Sequence, residues 1–183
     1  FEKICFLLLV GDLPTPEEFE EFIQYMSKHR TINTKIISNI IEQIPSKDIM
    51  NKLQTCISAL YAFDDTADNL DPFENFLKSL RILAKIPIIL GYSYLNSYKE
   101  NPQLVPADPS MSIAETFLHI LYEGKPIDPI KAHIMDISLI LHAEHGGGNN
   151  STFTTYVVTS SGSDIYSTIC AAIASLKGPL HGG

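Results

Sequence analysis

Residues 137–183 read I-S-L-I-L-H-A-E-H-G-G-G-N-N-S-T-F-T-T-Y-V-V-T-S-S-G-S-D-I-Y-S-T-I-C-A-A-I-A-S-L-K-G-P-L-H-G-G. Three histidines, His142, His145 and His181, stand at or near glycine-broken helix ends in this run. A helix end leaves backbone groups unpaired, and glycine lets a ligand approach the main chain closely. Ser163-Asp164 caps a last helix that Gly178-Pro179 stops. Along it, Thr168, Ala171, Ala172, Ala174 and Ser175 are small enough to admit a neighbouring helix. The Thr, Phe, Tyr and Val content of residues 151–159 favours a strand by propensity and leaves that segment ambiguous.

Working outward from that run, the rest of the chain carries helical periodicity. Phe1 to Val10 is too apolar to stand alone and meets a stop at Gly11. Thr15-Pro16-Glu17-Glu18 supplies a cap, a proline at the first helical position and a glutamate three residues on, so a helix runs from Pro16 to about Arg30. Ile36, Ile37, Ile40, Ile41 and Ile44 form a further stripe closed by Pro45, helical by spacing although isoleucine favours strands. Asp48 caps a helix with Ile49, Leu53, Cys56, Ile57 and Leu60 on one face, and Asp64 to Asn69 reads as a solvated acidic turn. Asp71-Pro72 opens a long helix to about Tyr98, with a kink or split expected at Pro87. The proline-rich segment 101–110 is a loop. Ser112 to Glu115 is a second capping box for a helix ending at Gly124. Asp128-Pro129 begins a helix with Ile130, Ile134, Ile137 and Leu141 on one face. The sum is about nine helices and no strand pair, an all-α, multi-helical class.

Composition narrows the function. At 183 residues the chain is one domain's worth, with net charge −8 and only Arg30 and Arg81 as arginines. No basic stripe exists for nucleic acid, and no apolar run is long enough to span a bilayer. The opening apolar decapeptide lacks the cleavage site of a signal peptide. Cys5, Cys56 and Cys170 read as buried free thiols in a reducing, cytoplasmic compartment. The chain starts inside a helical pattern without methionine and stops just past His181, as an excerpt of a longer protein would.

Read on the residues alone, His142, His145 and His181 admit three interpretations. They are packed core histidines, or a metal site, or a site where imidazoles and glycine-exposed amides donate to an anion or carbonyl. Zinc on a helix wants His spaced by four with glutamate between, and these two are three apart. The G-G-G-N-N-S loop opening a helix suits an anion. A di- or tricarboxylate would also want bidentate arginines, and both arginines lie far upstream on scaffold-like helices.

At H-A-E-H-G-G-G-N-N-S-T-F, S-D-I-Y-S and L-K-G-P-L-H-G-G the sequence resembles citrate synthase. F-L-L-L-V-G-D-L-P-T, S-A-L-Y-A-F-D-D, R-I-L-A-K-I-P and A-E-T-F-L-H-I-L-Y extend the resemblance over essentially the whole chain. It implies an all-helical homodimer in which a small domain closes over substrate, condensing acetyl-CoA with oxaloacetate to give citrate and CoA. It places residues 1–183 in the N-terminal part of the large domain, with the small domain and the C-terminal part absent. By motif, His181 matches the histidine that hydrogen-bonds the acetyl thioester oxygen as a neutral donor, and His145 the one that binds oxaloacetate. Asn149 and Ser151 fall where loop residues orient these imidazoles. The resemblance also makes residues 151–160 a helix, against propensity.

The family's aspartate base, its second catalytic histidine and its carboxylate-binding arginines come later in the chain, so this segment alone is expected to be inert. Gly146 stands after His145 where glutamate is commoner. No metal and no cofactor are implied, acetyl-CoA being a substrate, and no nucleic acid or membrane partner is expected. His29, His119 and His133 read as surface or packing residues. The helices Ile82 to Leu95, Ile113 to Tyr122, Ile130 to Leu141 and Ile165 to Leu176 resemble the family's dimer-forming helices, with ordinary monomer core as the alternative. Two other functional readings stand beside citrate synthase: 2-methylcitrate synthase, and a non-catalytic helical dimerisation module.

Overall fold

The computed structural model describes residues 1–144 and 146–182. Among them are nine α-helices and no strand, as the periodicity requires. They are α1 (Glu2–Val10), α2 (Pro16–Lys28), α3 (Thr34–Ile36), α4 (Ile49–Leu60), α5 (Pro72–Tyr98), α6 (Ile113–Leu121), α7 (Pro129–Leu141), α8 (Asn150–Ser160) and α9 (Ile165–Leu176). The chain forms two compact units, residues 1–32 with 80–144, and residues 33–79 with 145–183. Helix α5 contributes to both.

Local chemistry sets most boundaries. Both capping boxes form: the Thr15 hydroxyl accepts from Glu18 N–H, and the Ser112 hydroxyl from Glu115 N–H. Gly11 ends α1 in the left-handed conformation at φ 103°, its N–H returning to the Leu7 carbonyl at 2.9 Å. Helix α5 runs through Pro87 without splitting.

In the first unit, the Phe6 ring meets Phe22 edge-on at 5.4 Å, joining α1 to α2. Buried Glu2 accepts the N–H of Ile113 at 2.6 Å, setting a carboxylate on the positive end of α6. A Cβ at Gly91 would lie 2.5 Å from Ile120 Cγ2, so glycine is what lets α5 approach α6 there. Leu83, Pro87, Phe117, Met135 and Leu139 help line an apolar cavity of about 150 Å³.

In the second unit, α9 packs on both α4 and α8. The Cys170 thiol lies 3.3 Å from the Gln54 carbonyl, an approach the small residues of α9 permit. Two expectations change here. The isoleucine stripe is helical, but beyond Ile36 it widens into a π-turn over Ile37–Ile41. Glu42 N–H bonds the Ile37 carbonyl, and Ile36 and Ile41 are both buried. The acidic turn is tied into the unit rather than merely solvated. Asp64 accepts the Tyr166 hydroxyl at 2.6 Å, and buried Lys78 donates to the carbonyls of Ala67 and Asn69.

Lys52 is buried too, its ammonium donating to the Ile41 carbonyl at 3.0 Å at the end of the π-turn. Burial pulls its pKa below the ordinary 10.5. Between that lowered value and 10.5 the unfolded chain holds a proton the folded chain lacks, so this group's contribution to stability rises with pH across the window. Urea unfolding of Lys52→Met beside the wild type should show the wild type gaining on the variant as the pH rises through the lowered value toward 10.5. A gap independent of pH would exclude this origin.

Candidate active site

Helix α8 begins at the end of the glycine loop, and its first residues build the site. Asn149 is the N-cap, its Oδ1 accepting Thr152 N–H at 2.9 Å. The amide nitrogen of the same side chain donates to the Gly146 carbonyl at 3.1 Å and to Thr152 Oγ1 at 2.9 Å. Three groups thus hold one side chain, which in turn accepts the Ser151 hydroxyl at 2.7 Å. Ser151 Oγ lies 3.1 Å from Nε2 of His181. The result is a continuous relay from helix cap to imidazole, Asn149 to Ser151 to His181, within the second unit.

His181 reaches this position on a tight turn after α9. Its N–H bonds the Gly178 carbonyl at 2.9 Å, and Gly182 N–H bonds the same carbonyl at 3.2 Å. A Cβ at Gly182 would stand 2.8 Å from the Leu176 carbonyl oxygen, so the residue after the histidine has to be glycine for the turn to fold back on α9. Lys177, at the root of this turn, pairs with Asp48 at 3.0 Å. Asp48 caps α4 through Asn51 N–H, and that bond first, then Lys177, draws its carboxyl below the usual range. Both partners are solvent-accessible, so the pair adds little energy, but it ties the turn to α4. The imidazole itself is half-buried, whereas Leu180 beside it is fully exposed.

The structure therefore brings Asn149, Ser151 and His181 together, while His145 lies outside the described residues. His142 has a different occupation. It is the C-cap of α7, in the first unit, and its Nδ1 donates to the Ser138 carbonyl at 2.7 Å. Among the described residues, no group of three or more His, Cys, Asp or Glu side chains is placed to hold a metal ion. Arg30 is committed to the interior of the first unit, where its guanidinium donates to the Met111 carbonyl and to Thr116 Oγ1. Sequence reading passed over Thr152 and Gly182. The Asn-x-x-Thr spacing of a helix cap signalled the first; nothing local signalled the second.

Burial pushes the Cys5 and Cys56 thiols up to about 12 and Cys170 to about 11, which makes all three poor nucleophiles. What the site offers is a neutral polar relay ending on one imidazole. An arrangement of this kind can hold or receive a proton at a carbonyl oxygen where charge develops.

A family model described as "Citrate synthase, C-terminal domain" matches residues 1–183. The chain is 38% identical over 187 residues to citrate synthase 2 of Bacillus subtilis, covering all of this chain and 48% of that protein. It is 34% identical over 188 residues to 2-methylcitrate synthase 2 of Corynebacterium glutamicum, again covering all of this chain and 48% of the relative. Among solved structures, it resembles citrate synthase from the archaeon Thermoplasma acidophilum in ternary complex with carboxymethyl coenzyme A and oxaloacetate. The TM-score is 0.85 and the identity 29%, over 99% of this chain and 46% of that one. The chain thus spans about half the length of the curated relatives it matches.

Proposed function

Because the chain belongs to the citrate synthase family, we infer that it supplies part of an active site that condenses acetyl-CoA with oxaloacetate, giving citrate and CoA. The observation that carries this reading is the Asn149–Ser151–His181 relay. A thioester α-carbon is barely acidic, so deprotonation needs a base on one side and a hydrogen-bond donor at the developing oxyanion on the other. His181 is that donor, held by Ser151 and Asn149. His145 binds oxaloacetate. The base and the arginines that clamp the two carboxylates come from residues other than these 183. That assignment agrees with Arg30 being spent on the interior of its own unit.

The reaction balances without a metal or cofactor. The base takes the α-proton, the enol carbon bonds to the ketone carbon of oxaloacetate while the ketone oxygen takes up a proton to become the hydroxyl, and water then cleaves the citryl thioester to citrate and CoA. Propionyl-CoA in place of acetyl-CoA gives 2-methylcitrate, a reading favoured by the similarity to the Corynebacterium glutamicum enzyme. The exposed apolar stripe on α7 supports a homodimer. No described helix is long and apolar enough to cross a membrane, and three free thiols fit a reducing, cytoplasmic compartment.

The test is thiol release. The 183-residue chain alone, given oxaloacetate and either acyl-CoA, should liberate no CoA above background. A protein of full family length carrying it should turn over at a rate typical of enzymes, about 1–10³ s⁻¹, and the preferred acyl-CoA separates the two substrates. Turnover by the chain alone would show that the base lies within it. An inert full-length protein would favour the non-catalytic dimerisation module.

A further inference from the structure

The His181 relay belongs to the second unit, and the first unit holds a cavity that the acyl transfer does not use. It measures about 150 Å³ and is partly open to solvent. Leu83, Pro87 and Leu90 of α5, Phe117 of α6, and Met135 and Leu139 of α7 form most of its wall. None of its nine lining residues has a side chain with a charge or a hydrogen-bond donor, and no backbone polar atom opens onto it. Pro87 deprives the Leu83 carbonyl of its helical donor, yet that carbonyl does not face the cavity either. A bound water needs about three polar partners, and this wall supplies none. Oxaloacetate and acetyl-CoA, both anionic, would lose their hydration here with nothing in return.

We propose that the first unit binds one small, uncharged apolar molecule, about the size of benzene, in this cavity. Size and chemistry agree on that class. Dry apolar cavities of about 150 Å³ take up benzene or xenon. The guest leaves water and gains dispersion contacts with a wall that otherwise has no partner atoms on that side. The wall can also adapt to its guest. Met135 carries a flexible, polarisable thioether, and the Phe117 ring offers a face or an edge to an aromatic molecule. The site does not depend on citrate formation, since every lining residue lies in the unit without His181.

Benzene is the probe, and the Met135 methyl group, labelled with ¹³C in the intact chain, is the NMR reporter. The four methionines give four signals, and Met135→Leu identifies the one in the wall. Benzene should move that signal along a saturable, single-site curve and raise the Tm. The signal of Met26, a fully buried residue of α2 outside the cavity wall, should stay where it is. Benzoate, with the same ring and a charge, should move neither signal. Leu83→Phe fills the space and should abolish the response to benzene. A wild-type chain whose Met135 signal ignores benzene overturns the proposal, as does an equal response to benzoate, or a folded Leu83→Phe that responds like wild type. A Met135 signal that ignores benzene but moves with protein concentration places a second copy's side chain in the cavity, which also overturns it. Should Leu83→Phe fail to fold, benzene and benzoate on the wild type decide alone.

Discussion

In a citrate synthase of full family length carrying this chain, His181→Ala should lower kcat by about 100- to 1,000-fold, the range seen when one donor to a developing oxyanion is removed. The KM for acetyl-CoA moves far less, because a bond that strengthens only as charge builds contributes little to ground-state binding. His29→Ala is the control. His29 lies at the C-terminal end of α2 against the Tyr25 ring, in the unit that does not hold His181, so kcat should stay within about twofold. Thiol release reads both, with little background from this chain, since Cys5 and Cys56 are buried and held up to about 12. A His181→Ala enzyme within tenfold of wild type would remove His181 from the chemistry, however well the relay is built.

How much of this was legible before any coordinates depended on how local the signal is. Caps are written in three or four consecutive residues, so Thr15 with Glu18, Ser112 with Glu115, and Asp164 at the start of α9 all form where the sequence places them. The start of α8 is local in the same sense. Asn149 and Ser151 sit two residues apart, and their bond follows from helix capping. The final link to His181 spans thirty positions and became visible only through family motifs. Residues 151–159 were ambiguous because β-branched and aromatic side chains describe a surface to be covered rather than a backbone. There they form a helix all the same, leaving Phe153, Tyr156 and Val157 exposed.

Three features had no local signature. Lys52 and Lys78 look like solvent-facing lysines on helical wheels, yet each is drawn inward by backbone carbonyls that a π-turn and an acidic turn leave exposed. The π-turn over Ile37–Ile41 shares its hydrophobic spacing with an ordinary helix, and only the carbonyl that each N–H finds tells them apart. Pro87 removes one bond from α5, but Leu83, Ile86 and Leu90 are set among Ile113, Phe117 and Met135, and the helix stays continuous.

Periodicity also says which residues share a face without saying what covers it, and α7 shows the consequence. Ile130, Ile134, Ile137 and Leu141 were legible as one stripe, with the core of a monomer as one candidate cover. In the single chain they are 68%, 58%, 41% and 72% exposed, and no residue of α7 is buried. Fully burying a large aliphatic side chain is worth about 1.5–3 kcal/mol, so leaving four in water is a large penalty for an isolated chain. A second copy would cover them, its own α7 bringing the same stripe to a self-complementary contact. The wild-type chain should therefore sediment at twice 20.3 kDa. Ile134→Glu puts an unpaired carboxylate in the middle of that contact, where hot-spot losses of about 2–4 kcal/mol are expected, a rise in the dimer dissociation constant of about 30- to 1,000-fold. At micromolar protein the variant should run at 20.3 kDa with its helical circular dichroism intact, while Glu21→Lys, an exposed charge change on α2, should leave the dimer as it was. If Ile134→Glu and wild type sediment alike, the stripe is not where two chains meet.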